Sequence, residues 1–271
     1  IKALGHNLLI SYDPNDSVGI LDKYFPKSLF FNKFNIFKKE FEKIKNKIDY
    51  IVVLSPNYLH FKYIKYGIMN NINVICEKPL VISSKYLKNI EKLEKKYKAK
   101  VFNILQLRTL NVVQQLKKKI KKHKKYNVKI NYITPRGHWY HSSWKGDENK
   151  SGGILFNIGI HLLDLVCYLF GDYKNYQISK LNNNSAKGQI IFDQANVTFN
   201  LSINKKDALK YKKPVIRDFV INNKKIDLVK NFEQAHNDCY KQIISKKMFT
   251  LDSVNSSINL AIKLKNALLQ T

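Results

Sequence analysis

Through its first hundred residues the chain alternates short, continuous apolar runs with longer stretches in which apolar residues return every three or four positions. The runs "LLISY" (residues 8–12), "DYIVVL" (49–54), "NVIC" (73–76) and "KVFNILQ" (100–106) lack inside–outside alternation, which suits parallel strands covered on both faces. Between them, residues 34–47, 58–70 and 83–97 carry the period of amphipathic helices, and Ser83 offers a hydroxyl cap to the last of these. The opening residues read as the end of a helix stopped by Gly5. A turn at Asp13 and Pro14, a short helix at 17–24 and an extended "SLFF" (28–31) follow the first strand. Strands that alternate with helices of ten to fifteen residues mark a doubly wound α/β unit.

Beyond residue 108 the pattern changes. A helix at 111–122 leads to a strand at 127–134, an irregular polar and aromatic loop at 135–153 and an apolar helix at 156–169. Five strand-like runs then follow with only turns between them, at 175–181, 187–192, 195–203, 215–222 and 224–229. Helices at 232–245 and 251–269 close the chain. Consecutive strands without intervening helices argue for a mostly antiparallel open sheet. The expected architecture is therefore a Rossmann-like domain over residues 1–108 and an α+β domain over 109–271.

Composition narrows the function classes. At 271 residues and 44% hydrophobic the chain can bury a full core. Its longest apolar stretch, from Gly153, is interrupted by Asn157, His161 and Asp164, so no membrane span is expected. Three widely spaced cysteines suit a reducing compartment, and cytoplasm is the expectation. A formal net charge of +28 points toward nucleic acid, yet only three of the 48 basic residues are arginine. Base readout and phosphate clamping favour arginine, while abundant Lys, Asn, Ile, Tyr and Phe follow from AT-rich coding. Nucleic acid is therefore not the expected partner, and a non-catalytic basic binding protein is the rival reading. Among seven histidines only His138 and His141 are close, without a further ligand at a suitable spacing, so no metal is expected.

The chemistry gathers at strand ends. In open α/β sheets ligands bind beyond the carboxyl ends of the strands. That rule brings together Asp13, the turn Ser55-Pro56-Asn57 and the turn Glu77-Lys78-Pro79. An acid after the second strand suits the ribose hydroxyls of a dinucleotide and disfavours a 2′-phosphate, which selects NAD over NADP. Lysine at its ordinary pKa is a poor base, so Lys78 needs desolvation or a neighbouring cation to accept a proton. Pro79 restricts it toward extended backbone. His161 is the second proton-transfer candidate, because histidine titrates near neutral pH. The glycine-rich turn of a dinucleotide fold precedes the acid by about 20 residues, and only twelve residues stand before Asp13. The expectation is a fragment that begins inside the fold.

The motifs "SPNYLH", "EKPL" and "SGGILFNIGIHLLD" resemble those of the Gfo/Idh/MocA oxidoreductase family, whose second-domain pattern is G-G-x3-D-x-G-x-H-x2-D. Here that pattern reads Gly152, Gly153, Asn157, Gly159, His161 and Asp164, with asparagine in the aspartate's place. Together with "SYDPNDSVG", "FNILQLR" and "RGHWYHSSWKGDENKSGG", these motifs are similar to the family's UDP-N-acetyl-glucosaminuronate 3-dehydrogenases, which share that asparagine. The resemblance implies NAD as cofactor, contacted by Asp13, Ser55, Pro56, Asn57, His60, Glu77, Lys78, Gln106, Arg108 and Trp144. It implies that Lys78 and His161 jointly handle the proton of a sugar 3-hydroxyl, and that Arg136, Tyr140, Lys145 and Asn157 join them around the substrate. A UDP-linked uronate as substrate, a 2-oxoacid as electron acceptor and a homotetramer built through the open sheet are further implications. Another sugar or polyol dehydrogenase of the family is the alternative.

Overall fold

The apolar runs of the first half form parallel strands in the structure, a computed structural model that describes residues 1–16, 18–121 and 123–267. After a 3₁₀ turn and Gly5, which takes a positive φ, come β1 (Ile10–Tyr12), α1 (Ile20–Tyr24), β2 (Leu29–Phe31) and α2 (Phe34–Ile44). Then follow β3 (Tyr50–Val53), α3 (His60–Met69), β4 (Asn73–Cys76), α4 (Ser84–Lys96) and β5 (Val101–Asn103). Ser83 caps α4 by accepting a hydrogen bond from the Tyr86 amide. Among the described residues these strands form two parallel sheets, β1–β2 and β3–β4–β5, rather than one continuous sheet. Aromatic packing joins them. The Tyr12 ring on β1 lies 5.1 Å from Phe34 on α2 and 6.1 Å from Tyr63 on α3.

The second half begins with α5 (Asn111–Lys119) and β6 (Tyr126–Ile133). The loop expected to be irregular contains two short helices, α6 (His138–Ser142) and α7 (Glu148–Ser151). A π-helical segment (Leu155–Gly159) then runs into α8 (Ile160–Phe170). Next come β7 (Tyr173–Asn182), β8 (Ser185–Phe192), β9 (Ala195–Ser202), α9 (Lys205–Leu209), β10 (Ile216–Ile221) and β11 (Lys224–Lys225). They build one six-stranded sheet in the order β11-β10-β6-β9-β8-β7. Every pair is antiparallel except β6 with β9. That parallel pair arises because the chain leaves β6 through α8 and re-enters by the β7–β8–β9 meander. Alternate residues of β8 and β9, including Ile190, Val197, Phe199 and Leu201, enter the same apolar core as Leu162, Leu163 and Val166 of α8.

Glu148–Phe170 is long and apolar enough, by length and composition, to cross a membrane, but 83% of its most apolar window is buried inside the fold. Its apolar character is spent on the core. Two helices, α10 (Phe232–Lys246) and α11 (Leu251–Asn266), close the described chain. They return to the first half, where Thr250 bridges Phe102 and the Asn103 amide donates to the Phe249 carbonyl at 3.0 Å. The expected helix positions at Ser17, Lys122, Leu268 and Leu269 lie outside the described residues.

Candidate active site at the junction of the two halves

Lys78 lies two residues past the end of β4, and the peptide joining it to Pro79 is cis. Its Nζ reaches across to the second half and donates to the backbone carbonyl of Asn157 at 2.9 Å. Asn157 lies in the π-helical segment, a wider turn that recurs at functional sites. Two consecutive glycines deliver the chain to it. Gly152 and Gly153 have φ of 85° and 80°, and a Cβ on Gly152 would come within 2.8 Å of Phe156 and 2.9 Å of Ile82. A side chain there meets both strain and collision.

Burial lowers the pKa of Lys78. Glu77 opposes this by favouring the charged amine, while Lys145 and Arg136 add to the lowering. His161, in the first turn of α8, is pushed well below 6.5, first by burial and then by its electrostatic interaction with Lys78 and His236. Its Nδ1 is buried without a hydrogen-bond partner among the described residues. The junction thus holds a lysine biased toward neutrality beside a neutral imidazole. A lysine so tuned can take a proton from a hydroxyl group, which an ordinary surface lysine does poorly at neutral pH.

Asn157 is more heavily engaged than its place in the motif indicates. Its side-chain amide donates to the Tyr140 hydroxyl at 2.9 Å and to the Lys145 carbonyl at 3.0 Å, and its Oδ1 accepts from Asn57 at 3.4 Å. The Lys145 carbonyl can only accept, so this position needs a donor that aspartate lacks. Asn157→Asp is therefore expected to cost about 1–3 kcal/mol through two acceptors left facing each other. A lowered denaturation midpoint checks this, with Asn157→Ala as the control that removes the donor without adding a charge. Asn57 is buried and also donates to the Ser151 carbonyl at 2.7 Å.

The remaining expected site residues divide by what they touch. Asp13 is exposed at the end of β1, where its Oδ1 accepts from the Asn15 amide at 2.8 Å. Ser55 and Pro56 form the turn after β3, and Gln106 lies just past β5 with a buried Oε1 that has no partner among the described residues. Tyr140 is buried, while Arg136 is exposed. The Lys145 amine lies 5.4 Å from the Trp139 ring and 5.8 Å from the Trp144 ring. Two expected cofactor contacts are committed elsewhere. The His60 ring is buried between the Ser55 and Pro79 carbonyls, at 2.8 and 2.7 Å, and braces the two turns against each other. Arg108 turns inward, donating from Nε to Asp164 Oδ2 at 2.7 Å and from Nη2 to both Asp164 Oδ1 and the Ser253 carbonyl. Its guanidinium also lies 5.1 Å from the Tyr168 ring. A guanidinium taken up by a buried carboxylate is not free for a ligand.

Sequence reading missed His236. From α10 its Nε2 contacts Glu77 Oε1 at 2.8 Å. The only local signal was its position beside Ala235, Cys239 and Tyr240, the buried face of that helix. No group of three or more His, Cys, Asp or Glu side chains placed to share a metal ion occurs among the described residues.

Burial of a neutral imidazole has a consequence for pH. His161 has its pKa pushed well below 6.5 in the fold, so below that pH the unfolded chain binds a proton that the folded chain refuses. Stability is therefore complete above about pH 6.5 and falls as the pH drops toward the lowered folded value. Thermal melts from about pH 8 to about pH 5 should show this loss, and His161→Asn should make it shallower.

The site sets a lysine of lowered pKa and a buried histidine where the end of β4 meets the π-helical segment of the second half. The chain belongs to the Gfo/Idh/MocA family. Residues 3–104 match its oxidoreductase-family model for the NAD-binding Rossmann fold, and residues 114–206 match its model for the C-terminal alpha/beta domain. Among solved structures, the WlbA (WbpB) dehydrogenase from Thermus thermophilus in complex with NAD and alpha-ketoglutarate superimposes with a TM-score of 0.91 at 30% identity. The match covers 98% of this chain and 88% of that one. The same Thermus protein in complex with NAD and UDP-GlcNAcA gives a TM-score of 0.90 over the same shares. A curated relative, glucose-6-phosphate 3-dehydrogenase of Bacillus subtilis, is 28% identical over 161 residues, which is 54% of this chain and 45% of that enzyme.

Proposed function

We propose that this protein is an NAD-dependent sugar dehydrogenase that oxidises the 3-hydroxyl of a UDP-linked N-acetylated hexuronate to a 3-keto sugar. The observation that carries this reading is the Lys78 amine, desolvated and held against the Asn157 backbone beside His161, with Lys145 and Arg136 as the neighbouring charges. That surrounding is cationic apart from Glu77, and it favours a substrate bearing a carboxylate and phosphates. The likeness to a Thermus enzyme crystallised with NAD and UDP-GlcNAcA supports the substrate class.

Asp13 would hold the adenosine ribose, with the turns at Ser55-Pro56-Asn57 and Glu77-Lys78 and the unpartnered Gln106 Oε1 along the rest of the cofactor. These residues fit NAD, because a carboxylate after β1 accepts from ribose hydroxyls and repels a 2′-phosphate. Bound NAD supplies the hydride acceptor. Lys78, with His161 beside it, removes the hydroxyl proton as the carbonyl forms. Arg136 and Lys145 attract the anionic sugar, and Tyr140, whose hydroxyl accepts from Asn157, keeps its own proton to donate.

A 2-oxoacid is the proposed acceptor that returns the cofactor to its oxidised form, in keeping with the alpha-ketoglutarate in the Thermus complex. A second reading follows from the Bacillus relative, a dehydrogenase named for the same sugar carbon on a phosphosugar. The two are separated by incubating the protein with NAD and 2-oxoglutarate together with UDP-N-acetylglucosaminuronate, UDP-N-acetylglucosamine or glucose 6-phosphate. Keto-sugar formation from the uronate alone is the expected result. Turnover of glucose 6-phosphate alone supports the second reading instead.

A further inference from the structure

We propose that His236, on α10, is a positioning residue that acts through Glu77 to hold Lys78 ready for proton transfer. The inference rests on the reading of Lys78 as the proton-handling amine. Glu77 is held on every side. Its Oε1 contacts His236 Nε2 at 2.8 Å, its Oε2 accepts from the Lys78 amide at 3.1 Å, and its carbonyl accepts from Asn103 at 3.2 Å. A carboxylate can only accept, so His236 is the donor of the first contact.

The helix that carries His236 has little freedom to withdraw. Ala235, Cys239, Tyr240 and Ile243 are buried, Thr109 Oγ1 donates to the Ala235 carbonyl at 3.1 Å, and the His236 and Tyr240 rings lie 5.3 Å apart. His236 itself is half exposed, so its loss leaves the packed face of α10 intact.

The chemical effect follows from charge. Of the groups around the Lys78 amine, Glu77 is the one that favours its charged form, while burial, Lys145 and Arg136 favour the neutral one. His161 from α8 and His236 from α10 also face this corner, and His60 from α3, Cys76 at the end of β4, and Cys239 and Tyr240 from α10 lie within electrostatic reach of Glu77. An N–H donated to a carboxylate oxygen spreads its charge and weakens its pull on a neighbouring ammonium. Without His236, Glu77 keeps its full pull on Lys78 and the amine holds its proton to higher pH.

Two measurements on His236→Ala and His236→Gln test this. In the first, kcat/KM for the nucleotide sugar is followed against pH. The acid limb should move upward in His236→Ala, lowering kcat/KM at neutral pH by about tenfold, one pH unit of proton occupancy. In His236→Gln, whose side chain can still donate, the limb should stay near its original place. In the second, acetylation of the Lys78 amine by acetic anhydride is read by mass spectrometry across the same pH range, which requires no turnover. Its midpoint should rise in His236→Ala and return in His236→Gln. An unmoved labelling midpoint in His236→Ala overturns the inference, as does a glutamine variant as impaired as the alanine one. A wild type that turns over no sugar while its Lys78 midpoint still responds to His236 refutes the proposed function and leaves the coupling standing.

Discussion

Replacing Lys78 with methionine is expected to lower kcat for sugar oxidation by about 10²–10⁴-fold, the usual contribution of a positioned proton-transfer group. The size follows from its place. The amine crosses from the first half to the π-helical segment, and burial together with Lys145 and Arg136 has already weakened its hold on a proton. Methionine preserves the length and fills the same space without an ionisable group, so the fold should not suffer. Relieving a desolvated amine should leave the melting temperature equal or slightly higher. A large fall in kcat with an unchanged melt separates chemistry from structure. Retention of more than about a tenth of the activity would remove Lys78 from the proton-transfer role.

Arg108→Met is expected to do the opposite, with a loss of about 3–5 kcal/mol in stability. Arg108 and Asp164 are 8% and 1% exposed at their side chains, and Ser257 donates to the same carboxylate at 2.9 Å. Removing the guanidinium strands a buried carboxylate with one hydroxyl for company. The double replacement Arg108→Met with Asp164→Leu removes both charges and should recover much of the loss. Chemical denaturation of the single and double variants gives the comparison. A single variant as stable as the wild type would show that the pair contributes nothing net. Because Arg108 follows β5 and Asp164 lies in α8, the loss should also loosen the junction that holds Lys78 against Asn157.

Much of this was legible in the chain itself. Continuous runs such as "DYIVVL" and "NVIC" declare parallel strands because burial on both faces erases alternation, and Ser83 announces its helix through capping chemistry. The turns at Ser55 and Lys78 could be grouped without coordinates because the fold class places neighbouring strands' carboxyl ends on one edge, and the His60 ring joins them. Partnerships across long separations were not legible. Nothing near Arg108 distinguishes a guanidinium bound for Asp164 from one bound for a ligand, and His60 looked like a ligand contact until two backbone carbonyls closed on it. Likewise the motif marked Asn157 as a departure from aspartate. Only the Lys145 carbonyl facing its amide explains why a donor is required.

The return of α10 and α11 to the first half bears on how the protein becomes competent during synthesis. Strands β3 to β5 and the Lys78 turn emerge early, yet His236 and the Phe249–Thr250 contacts that close on them belong to the last part of the described chain. Since the beginning of a chain emerges and starts to fold first, the Lys78 turn is without these contacts until α10 and the segment after it dock. A ribosome-bound intermediate without α10 would therefore present the Lys78 turn with Glu77 still lacking its His236 contact.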